Sequence, residues 1–132
     1  MDEYKLRVNS VTDYGKYIIS KQGSELVFDA LGYDDLGRKG LLHKHIAKHK
    51  GLEEEAVLGG GKVSINEGGL CIYDYSVEFG SIPKKLLDAF ESLLKKAYSD
   101  KGIVIGEYSA DQGDGLIGAS HHPSVMNFIE SL

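Results

Sequence analysis

The chain has 132 residues, 42% apolar and 27% charged, with a formal net charge of -5. That is the size of one ordinary domain, able to bury roughly two-thirds of its unfolded surface, and the composition excludes a disordered polymer. The acidic balance argues against broad nucleic-acid binding, and no apolar run approaches the about 20 residues of a membrane span.

The opening Met-Asp-Glu-Tyr-Lys is charged and no apolar stretch follows it, so no secretory leader is expected. The lone Cys71 cannot form an internal disulfide, which suits a reducing compartment, and a cytoplasmic setting is expected. Tyr4 to Ser10 alternates apolar and polar residues and predicts a half-buried strand. Val11 to Gly15 reads as a turn, Lys16 to Lys21 as a second strand, and Glu25 to Asp29 as a third. After a charged stretch, Gly32 to Gly40, a helix begins near Leu41. Its apolar face is Leu41, Leu42, Ile46 and Ala47, and Gly51 ends it.

Gly59-Gly60-Gly61 predicts a tight bend, followed by a hairpin of Lys62 to Ile65 and Leu70 to Val77. Pro83 to Tyr98 carries Leu86, Leu87, Phe90, Leu93, Leu94 and Ala97 at helical spacing, with Ser81 as the candidate N-cap. A strand from Ile103 to Tyr108, a Gly/Asp loop from Ser109 to His122 and a short helix from Pro123 to Leu132 complete the reading. The expected fold is α+β, one domain over residues 1–132. Its mostly antiparallel or mixed sheet packs with two main helices and a short C-terminal one.

Three features could carry chemistry. His43 falls in the first turn of its helix, where unpaired N–H groups and the helix dipole disfavour a positive charge and attract anions. A neutral imidazole beside an anion suits phosphoryl transfer or base-assisted attack on phosphate. Leu58-Gly59-Gly60-Gly61-Lys62 could crowd backbone N–H groups and one cation around an anion, yet it lacks the spacing of a nucleotide phosphate loop. His45 and His49 share a helix face at a spacing that can grip a metal. No third ligand is identifiable, and neither a metal site nor a cofactor is assigned. Asp111 and Asp114 lack the spacing of a calcium loop.

Three segments in order are similar to the phosphohistidine phosphatase (Janus/Ocnus) family. They are Leu42-His43-Lys44-His45-Ile46, Val57 to Ser64 around the glycine run, and Ile72-Tyr73-Asp74-Tyr75-Ser76-Val77-Glu78-Phe79-Gly80. The resemblance covers about Leu41 to Ile105. It implies metal-free, cofactor-free removal of phosphate from phosphohistidine in a protein substrate, with phospholysine as the second substrate class. It makes His43 the nucleophile or general base. It assigns phosphate binding to Gly60, Gly61, Lys62 and the backbone of Tyr75, Ser76, Val77 and Glu78. Lys62 stands where the family usually has arginine, and Glu78 where it has a small residue. Lys5 is the best counterpart of the family's basic residue on the first strand. Two other readings compete: a non-enzymatic module holding a phosphorylated or anionic ligand, and a histidine-rich metal binder.

Overall fold

A computed structural model describes residues 4–36, 43–76, 79–111 and 123–132. The elements are β1 (Lys5–Val8), β2 (Tyr14–Gln22), β3 (Glu25–Gly32), α1 (Tyr33–Leu36), α2 (His43–His49), a 3-10 turn (Glu54–Ala56), β4 (Val57–Asn66), β5 (Gly69–Tyr73), α3 (Lys84–Ala89), α4 (Glu91–Asp100), β6 (Tyr108–Asp111) and α5 (Pro123–Ser131). The six strands form one mixed sheet in the order β1-β3-β2-β4-β5-β6. The β2–β3, β2–β4 and β4–β5 pairs are antiparallel, and the outer pairs β1–β3 and β5–β6 are parallel. This is the α+β class that the pattern of elements predicts. Among the described residues, no helix is long and apolar enough to cross a membrane.

The organising strand is β2, paired on both sides. Its run Tyr17-Ile18-Ile19 does not alternate with polar residues because both faces of the sheet are covered here. Tyr17 and Ile19 point to the larger core, where Tyr17 stacks on Phe28 at 4.7 Å between ring centres and Phe28 tilts against Phe90 at 6.2 Å. Leu86, Leu87, Phe90, Leu94 and Tyr98 from α3 and α4, and Val125 and Ile129 from α5, close that core. Ile18 points the other way. It joins Leu31, Ile46, Ala47 and Val57 in a smaller core under α2.

Several boundaries differ from the sequence reading, each for a tertiary reason. The helix expected from Pro83 to Tyr98 divides at Phe90 (φ -81°, ψ -8°), whose N–H is shared between the Leu86 and Leu87 carbonyls. Ser81 does not cap it: Pro83 takes that position, and Ser81 is buried beside Gly59. The strand expected over Ile103 to Tyr108 is displaced to Tyr108–Asp111, because Ile103 and Ile105 pack on the core while pairing with β5 begins at Tyr108. The glycine run makes no bend. It lies inside β4, and the irregularity falls where the register shifts opposite Ile19 and Ser20. Asp114, His121 and His122 lie outside the described residues.

Three tyrosines tie the layers together and are held neutral. Tyr17 ionises well above the usual tyrosine range because it is buried, with Asp74 and then Tyr108 adding repulsion. Burial also raises Tyr98, whose hydroxyl donates to the Thr12 carbonyl, and Tyr108, which faces Asp88 and Glu91. Their folded pKa values lie above the unfolded value. The stability this contributes is complete below about pH 10 and is lost as pH rises beyond it. Alkaline titration should therefore withhold part of the tyrosinate absorbance of the eight tyrosines until circular dichroism reports unfolding. A single step with the fold intact would contradict this packing.

Candidate functional site

The site is built where α2 lies on β4. Alternation along β2 and β4 puts Gly60 opposite Ile18, on the face covered by α2, and puts Lys62 opposite Lys16 on the same face. A methyl group at Gly60 would sit 2.4 Å from the Tyr17 carbonyl oxygen of β2 and 2.8 Å from Cδ2 of His43. The imidazole thus rests on bare backbone. Real Cβ contacts are not so close, so any other residue would press on both the β2 backbone and the ring. One residue on, at Gly61, a methyl would overlap the Tyr73 carbonyl and press on the Tyr17 ring. Tyr17 uses that space to reach Tyr73 and donates its hydroxyl to the Tyr73 carbonyl at 2.8 Å.

His43 is 5% exposed, and its ring is held by its Nε2–H, which donates to the Gly61 carbonyl at 2.9 Å. A carbonyl only accepts, so the proton sits on Nε2. In the neutral ring the lone pair then belongs to Nδ1. This is how a backbone acceptor fixes a tautomer for nucleophilic or base chemistry. His45 and His49 belong to the same helix and do not share this contact; His49 is exposed. Among the described residues, no group of three His, Cys, Asp or Glu side chains could hold a metal ion.

Two residues along β4 from Gly60, Lys62 lies opposite Lys16 on one side and Tyr73 on the other. Like charges directly opposite across an antiparallel pair are destabilising. Among the described residues neither lysine has an ion-pair partner, and Lys62 instead lies over the Tyr14 ring with Nζ 5.2 Å from its centre. An anion bound between them would relieve that repulsion. Sequence reasoning missed Lys16, which looks like an ordinary strand lysine. The available signal was that it follows a glycine within an apolar strand, as Lys62 does.

Lys5 is not part of this site. It pairs with Glu25, which pairs with Gln22 near the far end of β2. That places it three strands, roughly 14 Å, across and about 20 Å along the sheet from Lys62. The loop after β5 does come close: it turns back along β4, with Gly60 N–H donating to the Gly80 carbonyl at 3.4 Å and Ile82 N–H to the Asp74 carbonyl at 2.7 Å. Within it, Ser76 is buried and its N–H donates to the Gly80 carbonyl at 3.2 Å, while its hydroxyl accepts from Phe79 N–H. Tyr75 is exposed, and Val77 and Glu78 lie outside the described residues. The structure thus gathers His43, Gly60, Gly61, Lys62 and the loop carrying Tyr75 and Ser76, and it adds Lys16.

No protein-family model matches the chain, and no curated protein matches it by sequence.

The glycine floor is directly testable. Gly60→Ala should destabilise the fold by about 1–3 kcal/mol through overpacking, measured as a lower denaturation midpoint. It should also shift the His43 ring resonances in an NMR spectrum. Unchanged stability together with unchanged ring resonances would mean that the imidazole does not rest on Gly60.

Proposed function

We propose that the chain is a metal-independent protein phosphatase acting on phosphohistidine, similar in kind to the Janus/Ocnus family, with His43 as its reactive group. The observation that supports this best is that a tautomer-fixed imidazole and two opposed lysines, neither with an ion-pair partner among the described residues, lie on one face of the sheet. Lys16 and Lys62 neutralise the phosphoryl oxygens, and Nδ1 of His43 either attacks phosphorus or takes a proton from the attacking water. In the first course the substrate P–N bond breaks as the His43 P–N bond forms. Substrate histidine leaves with a proton, and water then releases inorganic phosphate and frees His43. The labile P–N bond asks mainly for orientation and charge neutralisation. Lysine in place of arginine supplies a point charge without a bidentate fork, and the second lysine compensates for part of that loss.

A second reading, a module that binds a phosphorylated ligand without turning it over, has its own support. His43 is nearly enclosed, and the Ser76 N–H, expected to face phosphate, is already committed to Gly80.

Phosphate release from a phosphohistidine peptide, assayed in EDTA, separates the two readings. His43→Ala and His43→Asn should abolish release, while His45→Ala and His49→Ala keep most of it. The rate should rise with pH through one ionisation in the range where histidine titrates, because only the neutral ring has a lone pair to use. Full activity in all three alanine variants would remove His43 from the chemistry, and no release by the unaltered protein would sink the enzyme reading. Rescue of a chelated, inactive protein by zinc would move the chemistry to a metal.

The lysines carry a separate expectation. Lys62→Ala and Lys16→Ala should each weaken phosphate binding, Lys62→Arg should preserve it, and the alanine effects should shrink at high salt. Calorimetric titration with inorganic phosphate measures this. Equal affinity in all three variants would remove the pair from the site.

A further inference from the structure

The open part of the face that carries the lysines also carries exposed aromatic rings. Tyr14, Tyr73 and Tyr75 are 55%, 42% and 44% exposed, three of the five large apolar side chains left most open among the described residues. Tyr14 stands two positions before Lys16 on β2, and Tyr73 stands directly opposite Lys62, so the register sets both rings on the lysines' face. Tyr75 is exposed in the loop that begins just past the end of β5. Rings of this kind supply contact area at low entropic cost and are enriched where proteins meet partners.

We infer that this face docks the polypeptide that bears the phosphoryl group, with the lysines taking the phosphoryl oxygens and Tyr73 and Tyr75 packing against the flanking residues. The inference rests on the phosphoprotein reading above and states where the protein part of that ligand lies. Charge identifies the occupant. In a chain of net charge -5, the register sets Lys16 and Lys62 directly opposite each other beside Tyr73, while Lys5 and Arg7 fall toward the far end of the sheet. A single phosphoryl dianion matches that opposed pair.

A nucleic-acid strand presents a phosphate at every step and wants cations along its path and ring faces open to stacking. Tyr14 is poorly suited to that, since its ring already lies 4.8 Å from Tyr33 and under Lys62. A phosphorylated protein segment needs one anion site and apolar edges beside it.

The test uses a labelled peptide carrying phosphoryl-triazolylalanine, a stable phosphohistidine analogue, followed by fluorescence anisotropy with the whole chain, and inorganic phosphate titrated separately. Tyr73→Ala should weaken the peptide about tenfold, the loss of one good anchor. Inorganic phosphate should change by less than about twofold, and Tyr73→Phe should retain peptide affinity. Tyr75→Ala should likewise weaken the peptide, and Tyr75→Phe should retain it, which decides the matter should Tyr73→Ala fail to fold. Equal losses for peptide and phosphate, or no loss for the peptide, overturn the inference, as does displacement of the peptide by polyuridylate at equal concentration. Peptide binding that depends on Tyr73 without any turnover upholds the docking face while the phosphatase reading falls. Turnover of phosphoramidate with a peptide affinity indifferent to both tyrosines does the reverse.

Discussion

Where side chains would stand at Gly60 and Gly61, β4 presents only hydrogen atoms, and both faces of the strand are approached at backbone distance. On one face the His43 ring settles against Gly60; on the other Tyr17 crosses Gly61 to bond the Tyr73 carbonyl. Glycine in a strand interior costs entropy and packs nothing. Here that cost is offset by two polar contacts that no larger residue would admit. It also explains why the loop after β5 can fold back along β4, since Gly59 lies against the Gly80 and Ser81 carbonyls and the Ile82 side chain.

The same strand sets the electrostatics. Antiparallel pairing with β2 fixes Lys62 opposite Lys16, and among the described residues neither makes an ion pair. The register thus sets two lysines opposite each other in an otherwise acidic chain. Like charges so placed repel, and an anion held between them would offset that cost.

Much of the fold is legible in the sequence because periodicity is local. Leu86, Leu87, Phe90 and Leu94 fall at helical spacing and are all buried, and the Val63, Leu70 and Ile72 alternation of the β4–β5 hairpin faces the larger core. What is not legible depends on partners distant in the chain. The glycine run reads as a bend because glycine is depleted in strands. Only the arrival of His43 and Tyr17 makes it a strand interior. Lys5 looked plausible as the basic residue of the first strand, but the pairing of β1 with β3 carries it to the sheet's far side. Lys16 became visible only once β2 and β4 were in register.

That register has a kinetic consequence. The β2–β3 and β4–β5 hairpins close through short turns, whereas pairing β2 with β4 must close the long intervening segment that includes α2. Such distant pairings pay their loop entropy before any contact repays it. The lysine pair, the glycine floor and the imidazole all come from the two sides of that one junction. A chain with both hairpins formed but not yet joined has not brought Lys16 and Lys62 together, so a ligand held between them would select the fully assembled sheet over its partly folded precursors.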